Sequence, residues 1–198
     1  MPGGCERAVH LARAALALHG PQSVMVTIDY KHAFGSISRT KLVEALMRHP
    51  QTEPIRPLFD WIYSQSTPQM VHDGPKLAAI IDNEEGLQQG CKLGTFAFCT
   101  MSVRPFTRCV SADAIGEHAL SVTGIGIVDD FTLIGELDAV MAAFEALSSD
   151  PDLADLSMNL QKTAGHWLHN SDPPQAFVDW CSGVGIIYIN FSMTTVFD

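Results

Sequence analysis

The chain carries the stretch Gly124-Ile125-Gly126-Ile127-Val128-Asp129-Asp130-Phe131-Thr132-Leu133-Ile134-Gly135, in which two adjacent acids interrupt an apolar, β-branched run. This pattern predicts a strand, a turn and a second strand. Two unpaired carboxylates at such a place would repel each other and lose hydration, and a divalent cation beside them would offset both effects. The alternative is a solvated turn, because aspartate is a favoured turn residue.

A third acid ends another short β-branched run, Val24-Met25-Val26-Thr27-Ile28-Asp29. If the two strands lie side by side, Asp29 and Asp129 share one end of a sheet and can hold hard cations through oxygen ligands, as Mg²⁺ requires. Two such ions roughly 4 Å apart would clamp the attacking and leaving oxygens of a phosphoryl transfer. Taken alone, Asp29 would instead be a cap on the following turn.

Four segments, in order within about residues 3 to 163, resemble the palm motifs of reverse transcriptases. They are Asp29-Tyr30-Lys31-His32-Ala33-Phe34-Gly35-Ser36-Ile37-Ser38-Arg39, Gly86-Leu87-Gln88-Gln89-Gly90-Cys91-Lys92-Leu93-Gly94, Ile127-Val128-Asp129-Asp130 and Met158-Asn159-Leu160-Gln161-Lys162-Thr163. The last looks like the Leu-Asn-x-x-Lys type of non-LTR retroelements. The resemblance implies an α+β polymerase palm, an antiparallel sheet with helices packed on one face, and interleaved helix and strand patterns agree with this fold class.

The resemblance also implies the catalytic residues. Asp29 and Asp129 would hold two Mg²⁺ or Mn²⁺ ions, Asp130 would support them, and the 3′-hydroxyl of a primer would attack the α-phosphate of the incoming nucleotide. Lys162 would neutralise or protonate the leaving pyrophosphate. An isolated lysine without this spacing would be a solvated surface residue.

Four further residues would bind the incoming nucleotide by the same resemblance: Tyr30, Phe34, Gln89 and Gly90. Phe34 would lie beneath the sugar, where a bulky ring clashes with a 2′-hydroxyl and favours deoxynucleotides. Its alternative role is that of a core aromatic residue. Gly90 would allow the backbone to approach the nucleotide closely.

The function that the resemblance implies is RNA-directed DNA polymerisation by the reverse transcriptase domain of a retroelement, with an RNA template, a DNA primer and deoxynucleoside triphosphates as partners. The rest of a retroelement polyprotein is a further expected partner. One alternative is an inactive retroelement remnant that serves only as a binding or structural module, and another is a different palm-type nucleotidyl enzyme. Only 28 residues precede Asp29, and the tail from Gly183 to Asp198 matches no motif, so most of the fingers and the thumb are expected to be missing. The chain alone is therefore expected to extend a primer poorly.

Charge is distributed unevenly along the 198 residues, whose formal net charge is -10. Residues 1 to 109 hold eleven Lys and Arg against nine acids, whereas residues 110 to 198 hold one Lys against thirteen acids. Template contacts are therefore expected in the first half. The five cysteines show no paired zinc-ligand spacing and predict reduced thiols. No apolar run is long enough to cross a bilayer, so the chain is expected inside the cell, in nucleus or cytoplasm.

Local patterns predict the elements of a single domain over residues 1–198. Helices are expected at Glu6 to Leu18, Arg39 to Arg48, Pro54 to Gln65, Leu93 to Val110 and Leu137 to Leu147. A hairpin is expected around Asp73-Gly74, between Gln69 to His72 and Leu77 to Ile81. Residues 164–198 match no motif, apart from the loop pattern Ser171-Asp172-Pro173-Pro174.

Overall fold

A computed structural model describes residues 4–190, which contain eight α-helices and nine β-strands. The helices are α1 (Gly4–His19), α2 (Ala33–Ser36), α3 (Arg39–Arg48), α4 (Arg56–Tyr63), α5 (Lys92–Arg108), α6 (Ala112–Ile115), α7 (Leu137–Ser148) and α8 (Gln175–Val184). The strands are β1 (Val24–Ile28), β2 (Tyr30–Lys31), β3 (Thr67–Asp73), β4 (Lys76–Asn83), β5 (Val122–Ile127), β6 (Asp130–Gly135), β7 (Ser157–Met158), β8 (Ala164–Trp167) and β9 (Ile187–Asn190). Short 3-10 helices lie at Pro50–Ile55, Gly116–Ser121 and Pro151–Leu153.

The described chain divides into two compact units. One, the sheet unit, comprises residues 4–31 and 102–190, and the other, the hairpin unit, comprises residues 32–101. Helix α5 contributes its first ten residues to the hairpin unit and the remainder to the sheet unit. The two units are described separately below, and the expectation of a single domain stays a prediction.

The sheet unit is built on a five-stranded sheet in the order β5-β6-β1-β8-β9. Strand β1 lies at its centre, antiparallel to both β6 and β8, and only the β8–β9 pair is parallel. Alternation along β1 buries Val24, Val26 and Ile28. The predicted fold class is confirmed, since helices combine with a mostly antiparallel sheet.

Helices cover both faces of this sheet. Gly165 of β8 faces α8, because a methyl group on its α-carbon would lie 2.9 Å from the Phe177 ring. Thr123 of β5 lies on the opposite face, where its hydroxyl is 2.9 Å from Nε2 of His19 at the end of α1. Helix α1 thus adds a second helical layer to the one that the sequence predicts.

The segment 164–190, which no motif assigns, completes the sheet. Strand β8 pairs with β1 from Met25 to Thr27, and β9 returns parallel to β8 after α8. Helix α8 ends at Val184. The next residue, Gly185, has a φ of +82°, and its amide donates a hydrogen bond to the carbonyl of Cys181, so that it forms a left-handed cap. The predicted loop at Ser171 to Pro174 lies between β8 and α8.

The hairpin unit is formed by local signals. Helix α3 begins where Ser38 accepts a hydrogen bond from the Lys41 amide, and its buried Leu42, Ala45 and Leu46 follow the helical period. The predicted helix from Pro54 begins later, because the chain runs as a 3-10 helix to Ile55 before α4. Helices α1, α3, α5 and α7 match their predicted positions within two residues.

Strands β3 and β4 form a two-stranded sheet of their own around the predicted Asp73-Gly74 turn. Met70 pairs with Ile80, and Gln69 pairs with Ile81. Because successive residues point to opposite faces, apolar side chains emerge on both faces, and Met70, Ile80 and Ile81 are all exposed. No helix within residues 4–190 is both long and apolar enough to cross a membrane.

Candidate functional site

Asp29 and Asp130 lie at the same end of the central sheet. Asp29 directly follows β1, and Asp130 is the first residue of β6. The antiparallel register that pairs Ile28 with Phe131 brings these two acids next to each other across the strands. The two strands lie side by side, which is the condition under which the sequence places Asp29 and Asp129 at one end of a sheet.

The turn of the β5–β6 hairpin presents Asp129. Ile127 pairs with Asp130, so only Val128 and Asp129 form the turn. Val128 has a φ of +58°, a conformation that is costly for a β-branched side chain. Such strain, about 1–3 kcal/mol, persists where the surrounding strands impose it, and it is frequent at functional sites.

Asp129 and Asp29 act electrostatically on Asp130. Although Asp130 as a residue is exposed, partial desolvation of its carboxyl, then the negative charge of Asp129 and that of Asp29, raise its pKa above the ordinary value. Asp129 and Asp29 therefore lie within electrostatic range of the Asp130 carboxyl. Repulsion between these carboxylates is the reason why the sequence predicts a cation beside them.

The fourth motif segment fastens the backbone of Asp29. The amide of Asn159 donates to the carbonyl oxygen of Asp29 at 2.8 Å, and the amide of Asp29 donates to the Thr163 hydroxyl at 3.2 Å. Thr163 is fully buried. The segment thus fixes the strand end from which the Asp29 side chain projects.

Lys162 lies in the turn between these two anchors. Its amide donates to the carbonyl of Asn159 at 2.9 Å, and its side chain is exposed. Lys162 therefore lies between Asn159 and Thr163, the two residues that bind the backbone of Asp29. The predicted contact with pyrophosphate stays a prediction.

Tyr30 is buried, with 6% of its surface exposed, and its strand β2 pairs with β7 of the fourth motif. Burial, followed by the charges of Cys109 and Asp150, raises the pKa of its hydroxyl, which makes no hydrogen bond. Asp150 itself is held by Arg108. The nucleotide contact predicted for Tyr30, still a prediction, would have to come from its main chain.

Phe34 and the segment after Gly86 are joined within the hairpin unit. The amide of Leu87 donates to the carbonyl of Phe34 at 2.6 Å, and the amide of Gly86 donates to that of Ile37 at 3.1 Å. The half-buried Phe34 ring stacks on Phe98 with a centroid distance of 4.9 Å. The first and second motifs therefore form one local structure.

Gln89 and Gly90 are exposed beyond this junction. Gly90 has a φ of +86° and open space around its α-carbon. A glycine at this position leaves the backbone accessible, which is the property that nucleotide binding would use. The binding roles of both residues stay predictions.

The donors at the sheet end suit a hard cation, because carboxylate oxygens are the ligands that Mg²⁺ prefers. Among residues 4–190, no three or more His, Cys, Asp or Glu side chains form a ready-made metal centre. Mg²⁺ does not require one, since one or two carboxylates plus substrate phosphates and water suffice. Asp29 and Asp129 could supply the carboxylate ligands.

Three residues that hold the motif segments in place were not predicted from the sequence. Thr163 and Asn159 lie inside a quoted motif, but nothing in it signals that they bind the backbone of Asp29. Arg39 closes the first motif and donates to the carbonyls of Gly86 at 3.0 Å and Asn83 at 3.0 Å. The donor geometry of arginine allows such bridging, but its partners lie more than forty positions away.

Solved structures resemble this chain in fold, although the sequence matches no family model and no curated protein. Apo telomerase from Candida tropicalis, truncated from the C-terminal domain, superposes with a TM-score of 0.58 at 16% identity over 83% of this chain and 35% of that one. Telomerase from the same organism with a TWJ fragment of telomeric RNA gives 0.60 at 13% identity, over 81% and 29%. The corresponding Candida albicans complex gives 0.58 at 14%, over 81% and 29%.

These identities are too low to carry more than the fold. This chain spans about a third of the length of the telomerases that it matches. The resemblance to non-LTR retroelements in particular stays a prediction. What the superpositions and the sheet topology establish together is a reverse-transcriptase-like polymerase fold.

Proposed function

We propose that this chain is the palm of an RNA-directed DNA polymerase that adds deoxynucleotides to a primer 3′-hydroxyl by two-metal nucleotidyl transfer. The observation that carries the proposal is the electrostatic convergence of Asp29, Asp129 and Asp130 at one end of the sheet. Two of these acids neighbour each other through strand register, and the third is fixed by a two-residue turn. Carboxylates that face one another are destabilised by repulsion, and a divalent cation beside them would offset it.

Divalent ions bound here would stabilise charge on the attacking and leaving oxygens. Asp29 and Asp129 would orient those ions, and the Asn159 and Thr163 contacts would keep the Asp29 strand end from shifting. Asp130 would support those ions. Lys162 would offer a proton or a positive charge to the departing pyrophosphate.

RNA as a template is supported by the telomerases that share the fold, two of which are in complex with telomeric RNA. In this chain the cations needed for phosphate contacts lie almost entirely in residues 1 to 109. A DNA primer, deoxynucleoside triphosphates and a retroelement polyprotein complete the proposed set of partners.

A second candidate function is a binding or structural module without catalysis. The formal net charge of -10 favours it, because an acidic body repels the nucleic-acid backbone. Such a module would keep the fold and have no use for a cation at the acids. Cation binding therefore separates the two candidates.

The test is a titration of the full chain with Mn²⁺, followed by electron paramagnetic resonance of the free ion. Asp29→Asn and Asp129→Asn should each weaken the tightest site about tenfold or more, which corresponds to about 1.4 kcal/mol. Asp138→Asn is the matched control, because it removes the same charge from an exposed position in the first turn of α7. Circular dichroism checks that each variant is folded.

If Mn²⁺ binds equally well to all three variants, the ion is not held by the proposed acids, and the catalytic proposal fails. The non-catalytic module would then be the better description. Loss of the site in Asp29→Asn and Asp129→Asn, with retention in Asp138→Asn, supports the polymerase.

A further inference from the structure

Cys91 caps the N-terminus of α5. Its carbonyl accepts the first hydrogen bond of the helix, from the Thr95 amide at 3.0 Å, so it occupies the position where serine or aspartate usually sits. The pKa of its thiol is lowered, first by the amide of Gly94, then by the Tyr63 hydroxyl, and to a smaller extent by the amide of Leu93. The residue is only partly buried, so small reagents can reach it.

A second group is directed at the same point. Tyr63 of α4 is 95% buried, since only 5% of its surface is exposed, and its hydroxyl oxygen has no hydrogen-bond partner of standard geometry. The position that a methyl group on Gly94 would occupy lies 3.2 Å from this oxygen. The hydroxyl therefore lies over the first turn of α5, beside the Cys91 thiol, in space that only a glycine leaves free.

The groups that interact with this hydroxyl are the Cys91 thiol and the main chain of Gln88, but neither makes a hydrogen bond of standard geometry with it. A buried hydroxyl without such a bond is costly, and a neutral thiol is a poor acceptor for it. Burial raises the pKa of Tyr63 to about 12, so the group remains a donor at neutral pH. The Arg39 guanidinium is a charged group that also lies against Tyr63, 5.5 Å from the centre of its ring. A negatively charged or oxygen-bearing sulfur at Cys91 would satisfy this donor.

We propose that Cys91 is a peroxide-reactive thiol, in which the Tyr63 hydroxyl and the first amides of α5 stabilise first the thiolate and then the sulfenate. The thiolate sulfur attacks one oxygen of hydrogen peroxide, an S–O bond forms and the O–O bond breaks. Hydroxide leaves and takes up a proton to become water. Sulfur is oxidised by two electrons, peroxide is reduced, and the oxygen gained by sulfur accepts the Tyr63 hydrogen bond.

The proposal is tested on the full chain with hydrogen peroxide and dimedone, which traps sulfenic acid, and the labelled cysteines are located by peptide mass spectrometry. Exposed Cys5 is the internal reference. Cys91 should be labelled at least about fivefold faster than Cys5, because a helix N-terminus favours the thiolate. Tyr63→Phe should remove most of this difference, because it deletes only the hydroxyl.

Tyr188→Phe is the matched control, since the Tyr188 hydroxyl is also buried without a partner but belongs to the sheet unit. It should leave the Cys91 rate unchanged. Labelling of Cys91 no faster than Cys5, or an unchanged Cys91 rate in folded Tyr63→Phe, overturns the proposal.

If Tyr63→Phe does not fold, the unmodified chain decides by the pH profile of iodoacetamide alkylation. The midpoint for Cys91 should lie below that of a free cysteine peptide measured in parallel. A midpoint at or above that of the peptide overturns the proposal.

Discussion

The backbone of Gly86 packs against the backbone of Gly35, and a methyl group on Gly86 would lie 2.7 Å from the α-carbon of Gly35. Gly86 also has a φ of +71°, which side chains rarely adopt. The amide of the next residue, Leu87, donates to Phe34, so the contact joins the first two motifs at the main chain. Any side chain at position 86 must force these segments apart.

Gly86→Ala should therefore lower the free energy of unfolding by about 3 kcal/mol or more, the sum of backbone strain and overpacking. Gly90→Ala is the control, because Gly90 shares the positive φ but has nothing within 4 Å. It should cost about 1–2 kcal/mol. Urea denaturation measures both, and equal losses would mean that the contact with Gly35 is unimportant.

Substitution of Val128 is expected to relieve strain in the turn of the β5–β6 hairpin. Val128→Gly removes strain of about 1–3 kcal/mol and costs about 0.5–1 kcal/mol in chain entropy, so the variant should range from as stable as the parent to about 2.5 kcal/mol more stable. Ile127→Gly, one residue earlier in strand β5, has no positive φ to relieve and should lose stability. Thermal denaturation compares them. A Val128→Gly loss as large as that of Ile127→Gly would contradict the strain.

Removing one acid should stabilise the chain in the absence of divalent ions. Folding raises the pKa of Asp130, so the folded chain binds that proton more tightly than the unfolded chain, and this favourable contribution is lost as the pH rises through the raised pKa. Asp130→Asn should then add about 0.5 kcal/mol at neutral pH. The gain should shrink as the pH falls towards the ordinary carboxyl value.

The control for this charge effect is Asp138→Asn, measured by urea denaturation in EDTA at neutral and mildly acidic pH. It removes one negative charge of the same kind from α7, where the first turn already favours an acid. It should bring no gain. A gain from both variants would assign the effect to net charge rather than to the three acids.

Arg39 should be irreplaceable by lysine. Its guanidinium donates to four carbonyls of the hairpin unit, including those of Gln65 at 2.9 Å and Gly86 at 3.0 Å, and a lysine ammonium cannot span them. Arg39→Lys should cost about 1.5–3 kcal/mol. Arg104→Lys, at a half-exposed side chain with a 3.9 Å ion pair, should cost less than about 0.5 kcal/mol.

Phe34 should discriminate between sugars if it lies beneath the nucleotide. Phe34→Val should strengthen UTP binding relative to dTTP binding, since it removes a clash with the 2′-hydroxyl and leaves the proposed ion ligands intact. Competition against a fluorescent nucleotide in the presence of Mn²⁺ gives the ratio of dissociation constants. Phe96→Val, at an exposed phenylalanine of α5, is the control. An unchanged ratio in Phe34→Val would leave Phe34 as the stacking partner of Phe98 alone.

Sequence patterns predicted those parts of the fold that depend on neighbours along the chain. The spacing of Leu42, Ala45 and Leu46 predicts α3, and Asp73-Gly74 predicts the β3–β4 turn. The acids of the site were found because charged residues inside apolar runs are conspicuous.

Features that depend on distant residues were not predictable in the same way. Strand β8 is four residues long and includes Gly165, whose lack of a side chain is explained only by the Phe177 and Cys181 side chains packed against it. The raised pKa of the buried Tyr30 hydroxyl likewise depends in part on Cys109 and Asp150, far along the chain. Neither arrangement has a local signature.

The ribbon formed by β3 and β4 has a consequence for the behaviour of the chain in solution. A two-stranded sheet is marginally stable by itself. Within residues 4–190 no further strand pairs with this one, and Met70, Ile80 and Ile81 are exposed on its two faces. Edges of this kind are templates for strand addition between molecules. Aggregation of concentrated protein should therefore begin at this ribbon, before the central sheet unfolds. Ile80→Lys should delay aggregation and leave Asp29, Asp129 and Asp130 unaffected.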